Sequence, residues 1–197
     1  MFYANTIPLV ADEILPQFIR EVLIGFQKTN SKNLLIQSNG GYAESLLWAL
    51  NPLRRRQIST IGIGVVGSLA VAIFVCGKRR LAFPDTEFFI HQCGYTSNGE
   101  RITSSLAQIK ALICREKNNQ KGFDFWQQIS VTCKMMDEMM IRLISSRTSI
   151  APDIAGYFLE KEKTFSTEEA MRCGLIHGII YPEEVALMPE FGVYQPW

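Results

Sequence analysis

Residues 61–77 read IGIGVVGSLAVAIFVCG, and how they are read decides the fold. The run is nearly unbroken in apolar residues and has Arg54-Arg55-Arg56 on one side and Lys78-Arg79-Arg80 on the other, as a membrane span would. It sits at the short limit for a span and carries Gly62, Gly64, Gly67 and Gly77. β-Branched residues fill its first part and helix formers its second. That division predicts a buried strand, a glycine-rich turn and a buried helix beginning near Ser68.

Working outward, residues 11–29 carry a helical stripe at Ile14, Leu15, Phe18, Val22, Leu23 and Phe26. Residues 33–37 (NLLIQ) are expected as a buried strand, and Ser38-Asn39-Gly40-Gly41 as a turn. A helix over 42–50 is expected to stop near Asn51-Pro52. Residues 58–63 and 87–91 supply further strands. The repeating βα order predicts a mostly parallel sheet, whose ligand-binding edge lies at the carboxyl ends of its strands. From 101 to 147 the chain turns polar and helical in period, with a break around residues 118–122, which suggests two helices projecting from the core. A short helix is expected over 152–161. Ser166-Thr167-Glu168-Glu169 has a capping signature for a helix reaching Cys173, which Gly174 ends, and residues 175–180 return as a strand.

The bulk properties narrow the classes. With 197 residues, 47% of them apolar, the chain suits one α/β domain with its own core. A net charge of +1 gives no broad field toward nucleic acid, and the basic runs read as solvated loop charges. Five widely spaced cysteines suggest reduced thiols in a cytoplasm-like compartment, not a disulfide frame or a zinc site. The N-terminal stretch lacks the basic region of a signal peptide.

Three motifs have the residue types for acyl-transfer chemistry. Gly67-Ser68 falls where a strand meets a helix, so Ser68 is a candidate nucleophile whose neighbouring amides face a helix start. Only two histidines are present, and His91 ends the apolar run Phe88-Phe89-Ile90, where a general base would sit. Ser38-Asn39-Gly40-Gly41 offers flexible backbone for oxyanion donors. Taken singly, each also has a plain structural reading: an N-cap, a strand-end histidine and a left-handed turn.

Together the motifs resemble the proteolytic subunit of the Clp protease (ClpP). That family's order is a Ser-Pro-Gly-Gly turn, a Gly-x-x-x-Ser nucleophile turn, an Ile-His-Gln strand end and an acidic residue before Phe-x-Ser. Here the order reads Ser38-Asn39-Gly40-Gly41, Gly64-Val65-Val66-Gly67-Ser68, Ile90-His91-Gln92 and Glu162-Lys163-Thr164-Phe165-Ser166. The run from Lys78 to Pro84 and the passage Glu169-Ala170 to Gly174-Leu175-Ile176 also match. The resemblance covers roughly residues 20–93 and 145–181.

This resemblance implies an α/β fold of the ClpP/crotonase type, a spiral of ββα units. It would form a single domain over residues 1–197 with an extended helical handle at about 95–147. It implies a serine endopeptidase with Ser68 as nucleophile, His91 as base, Glu162 as acid, and the Gly41 and Leu69 amides as oxyanion hole. No cofactor or metal is implied. The expected partners are an unfolded polypeptide substrate, further copies in a homo-oligomeric ring, and an ATPase unfoldase, with neither nucleic acid nor a membrane span. The chain departs from the family in four places. Glu162 stands where the family has Asp, with Asp153 as a nearby alternative. Asn39 replaces Pro. The handle is about twenty residues longer, and the N-terminal segment that forms axial pore loops is largely missing from the sequence. Other readings are a catalytically weak or inactive ClpP-like scaffold subunit, a crotonase-fold enzyme acting on acyl-CoA, and a signal-peptide-peptidase relative using a Ser-Lys dyad.

Overall fold

The structure is a computed structural model, and it describes residues 6–181. Residues 1–5, part of the stretch compared with a signal peptide, and the chain after 181 lie outside the described residues. The chain runs β1 (Thr6–Val10), α1 (Pro16–Thr29), β2 (Asn33–Ser38), α2 (Ala43–Arg56), β3 (Ser59–Gly67) and α3 (Leu69–Phe74). It continues β4 (Arg79–Ala82), β5 (Glu87–Phe89), β6 (Gly94–Ser97), β7 (Glu100–Thr103), α4 (Ser104–Glu116) and α5 (Gln120–Arg147). The last elements are α6 (Pro152–Glu160), β8 (Thr164–Phe165), α7 (Thr167–Arg172) and β9 (Gly178–Ile179).

The 61–77 run is a strand and a short helix. All six residues of α3 are buried, and no helix among the described residues is long and apolar enough to cross a membrane. The main sheet has seven strands: β1-β2-β3-β4-β9 are parallel neighbours, β5 joins β3 in parallel, and β8 pairs antiparallel with β5. Strand β3 serves two neighbours in turn. Its first part, Ser59–Gly62, pairs with β4, and its last part, Val65–Gly67, pairs with β5. Between them Gly64 has φ 59°. There the register against β2 steps from Ile36↔Gly62 to Ser38↔Val66, so β3 carries extra residues that bulge. A glycine in the left-handed region lets the strand bend at that bulge without a steric penalty.

Both sheet faces are apolar. Leu34 and Ile36 enter the main core with α1, α2 and α3, while Leu35 pairs in register with Ile61, and Ile61 with Leu81, on the opposite face. This explains the near-continuous apolar runs of the strands. Phe74 of α3 packs on Phe88 of β5 at 4.9 Å between ring centroids, both fully buried, each contributing about 1.5–3 kcal/mol. This contact fixes α3 against the strand that leads to His91.

Several expectations are corrected. Helix α1 starts at Pro16, with proline at its first turn, because Ile14 is engaged in a bridge to Gly41. Helix α2 runs through Pro52 to Arg56. The proline removes one ladder bond, four residues back at the exposed Trp48, where water can replace it. Arg54, Arg55 and Arg56 therefore form the last turn of a helix, where cations offset the helix dipole. Arg80 is not a solvated loop charge. It lies in β4, 3% exposed, and donates to the carbonyls of Leu175, Gly174, Arg147 and Gly77. Strand pairing stops at Phe89, two residues short of the expected end. The region taken as purely helical begins with a β-hairpin, β6–β7, before α4 and α5 pack on each other. At the end, Gly178–Ile179 alone pair with β4. The capping box at Ser166 and Glu169, and the left-handed Gly174 with φ 71°, match the sequence signature.

Candidate active site

Ser68 is held by its backbone on both sides. Its N–H donates to the Phe89 carbonyl at 2.6 Å and its carbonyl accepts from Val71 N–H at 3.0 Å. Between these bonds the residue adopts φ 51°, ψ −121°. For a non-glycine residue this conformation costs on the order of 1–3 kcal/mol and survives only where neighbours enforce it. The side chain opens onto a groove of about 650 Å³. That volume lies within the usual range of ligand-binding clefts.

The two glycine turns touch each other. A Cβ on Gly67 would stand 2.9 Å from the Asn39 carbonyl oxygen, and one on Gly41 would collide with the backbone of Ile14. Ile14 N–H donates to the Gly40 carbonyl, and Tyr42 N–H donates to the Ile14 carbonyl. In a parallel bridge of this kind the central residue's own N–H points away from its partner. The Gly41 amide therefore faces away from Ile14. The Gly40 amide is already satisfied by Ser38 Oγ at 3.1 Å.

His91 follows β5 and is clasped by the connection around α6. Ile90 N–H donates to the Lys163 carbonyl at 2.9 Å and Gln92 N–H to the Leu159 carbonyl at 3.1 Å. The imidazole leans on the Phe89 ring at 5.2 Å. Burial pushes its pKa below the usual histidine value, the Gln92 carbonyl partly opposes this, and the Arg101 charge adds to it. The ring is thus held neutral, the form a general base needs. Its Nδ1 has two neighbours, the Gln92 carbonyl oxygen at 2.7 Å and Arg101 Nη1 at 2.6 Å. The other guanidinium nitrogen of Arg101 pairs with Glu162 Oε1.

Ser68, His91, Gly41 and Leu69 all line the same groove. Glu162 does not line it. Arg101 stands between Glu162 and His91, and no hydrogen bond joins those two among the described residues. Asp153 is exposed in the first turn of α6, away from the groove. The other histidine, His177, has Nδ1 against the Arg80 N–H at 3.2 Å, a structural contact.

Sequence reasoning missed Arg101 and Asp137. Asp137, on α5, accepts from Cys93 N–H at 2.6 Å and so ties the chain after His91 to the long helix. Burial raises its pKa to about 6, against the opposing effects of that N–H and of Arg101. Cys93 and Cys133 line the same groove as Asp137, and all five cysteines are free. Arg101 had a signal. Asn98 and Gly99, with φ 51° and 78°, form a two-residue hairpin turn, and Asn-Gly is the strongest short-range hairpin cue. Asp137 had none, since nothing distinguishes it from other polar residues of α5. Among the described residues no group of three or more His, Cys, Asp or Glu side chains gathers as a metal would need.

Comparison with known proteins bears on the family of the chain. The family model described as Clp protease matches residues 7–120. That span includes both glycine turns, Ser68, His91 and Arg101, but neither Asp137 nor Glu162. A protein named ATP-dependent Clp protease proteolytic subunit, from Carsonella ruddii (strain PV), is 28% identical over 114 residues, 52% of this chain and 59% of that protein. The chain thus matches under two thirds of that relative's length. Since the family model covers more than half of the chain, the protein belongs to the Clp protease family.

Proposed function

We propose that this protein is a serine peptidase of the Clp type that cleaves unfolded polypeptide, with Ser68 as nucleophile and His91 as general base. The observation that carries the reading is the strained, doubly anchored Ser68 opening into the same groove as a neutral His91. His91 Nε2 takes the Ser68 hydroxyl proton as Oγ attacks the scissile carbonyl. The amides of Gly41 and Leu69 hold the oxyanion. His91 then protonates the leaving amine, and water hydrolyses the acyl-enzyme. Glu162 acts on His91 through Arg101 and not by a direct bond. The mixed, mostly parallel sheet is read as the spiral ββα fold of this family, in one domain with residues 95–147 as handle. Exposed apolar side chains on α2 (Leu47, Trp48) and on α4 and α5 (Ile109, Leu112, Val131, Met135) support assembly into a homo-oligomeric ring, with an ATPase unfoldase as the expected partner. The five free thiols fit a reducing, cytoplasmic setting.

A fluorophosphonate probe tests the chemistry. It is expected to label Ser68 in the folded protein, and Ser68→Ala is expected to abolish labelling while leaving the unfolding curve nearly unchanged. An unlabelled, folded protein beside a labelled Clp peptidase would sink the reading. A second reading, a Clp-like subunit without activity, is favoured by one observation, the Arg101 guanidinium on Nδ1 where a triad has its acid.

A further inference from the structure

We propose that Arg101 is a positioning residue that sets the tautomer of His91 and keeps the Ser68–His91 pair at rest. This rests on the reading of Ser68 and His91 as nucleophile and base. Nδ1 of His91 lies between an obligate acceptor, the Gln92 carbonyl, and an obligate donor, the Arg101 guanidinium, at nearly equal distances. One ring nitrogen serves only one of them. If Nδ1 keeps its lone pair it accepts from Arg101, and the ring proton goes to Nε2. If Nδ1 carries the proton it donates to Gln92, and Nε2 is free to accept the Ser68 proton.

Charge decides between the two. A hydrogen bond from a guanidinium is roughly twice as strong as one between neutral groups. Glu162 grips the same guanidinium and holds it against the ring. Arg101 also opposes the imidazolium that catalysis must form, because its Nη1 stands 2.6 Å from the nitrogen that would carry a proton. The favoured tautomer therefore has its proton on Nε2, with no lone pair there for Ser68. When Arg101 moves away, Nδ1–H donates to the Gln92 carbonyl and the base is ready.

The hairpin is shaped to deliver this contact. The turn at Asn98-Gly99 folds β7 back so that Arg101 pairs with Thr96, close to the chain that leaves His91. The Arg101 stem crosses Gly94: a Cβ there would collide with Arg101 Cγ and come within 3.0 Å of Cδ. Gly94 is the space the arginine needs. Two substitutions thus separate Arg101 from His91. Arg101→Met removes the guanidinium, and Gly94→Ala displaces it while keeping it in the chain.

The two histidines make the test direct. In protein with ¹⁵N-labelled histidine, well above pH 6.5, ring nitrogen shifts report which nitrogen carries the proton. His177 is the internal reference, since its Nδ1 accepts from the Arg80 N–H and its proton must be on Nε2. His177→Gln assigns the two signals. His91 is expected to show the Nε2–H pattern in the native protein and the Nδ1–H pattern in Arg101→Met and Gly94→Ala. Loss of the orienting partner, with the wrong tautomer, costs serine peptidases about 10⁴ in turnover. Fluorophosphonate labelling of Ser68 is therefore expected to be at least about tenfold faster in both variants. Native His91 with its proton on Nδ1, or a tautomer unchanged by Arg101→Met, would overturn the proposal. If the tautomer switches yet no form labels Ser68, the role of Arg101 in setting the tautomer stands and the peptidase reading fails. If native protein labels and His91 is already Nδ1–H, the peptidase reading stands and the Arg101 proposal fails.

Discussion

A Cβ built on Gly40 would stand 2.7 Å from Ser68 Cβ and 3.2 Å from its Oγ. The backbone of the turn after β2 thus rests directly on the side chain that the turn after β3 presents. Neither turn can shift without moving the other, and the proposed nucleophile is held between them.

Gly40→Ala tests this contact. Gly40 has φ 122°, so an alanine there is strained as well as crowded. Stability is expected to fall by about 2 kcal/mol in urea unfolding. Displacing Ser68 by a fraction of an ångström to an ångström is expected to slow fluorophosphonate labelling by about tenfold to a hundredfold. A variant as stable and as reactive as the native protein would show that the two turns are not in contact.

The pH dependence carries two opposite signs. Burial and Arg101 lower the His91 pKa below 6.5, so the base stays neutral as pH falls through 6.5. The rate of Ser68 labelling is expected to hold constant down to that pH and to fall only below it. In Arg101→Met the inflection is expected to move upward, because one cause of the lowering is gone. The same shift means the folded state resists protonating His91, so this contribution to stability is present above pH 6.5 and lost as pH falls through the folded pKa. Asp137 runs the other way. Its pKa is raised from 3.8 to about 6, so the folded state holds the proton more tightly and stability declines as pH rises from about 4 to 6. Asp137→Asn retains an acceptor for Cys93 N–H. It is expected to be more stable than the native protein by about 1 kcal/mol at pH 8, allowing for solvent screening of a half-exposed carboxyl, with the difference vanishing near pH 4. Urea unfolding at several pH values reads both effects.

Arg80 joins β4 to the end of α5 and to the turn before β9 through carbonyls at 2.6–3.3 Å. Its pKa is lowered to about 10 by burial and by Arg147, so it remains charged at neutral pH. Arg80→Met keeps the stem but leaves buried carbonyls without donors. The expected loss is about 3 kcal/mol or more. A variant within 1 kcal/mol of native stability would mean that water replaces the guanidinium.

Much of the fold is legible in the sequence, for local reasons. Glycine, serine and capping residues act within a few positions of themselves. That is why the turn at residues 38–41, the break at Gly67-Ser68 and the capping box at Ser166 stand where the sequence places them. The apolar periods of β2, β3 and α3 likewise marked the core. Proline misled at Pro52, because its cost depends on whether water reaches the freed carbonyl, and that is a property of the surface.

The sequence by itself determined the βα order and the glycine turns, and it marked Ser68 and His91 as the candidates proposed for acyl transfer. Only the tertiary structure decided what stands against His91 Nδ1. Glu162 and Arg101 lie 61 residues apart and meet because β7 folds back toward the loop after α6. The burial that neutralises His91, raises Asp137 and encloses Arg80 also comes from distant segments packing together. Composition and spacing carry no record of it, since a charge is perturbed by whatever the fold sets beside it.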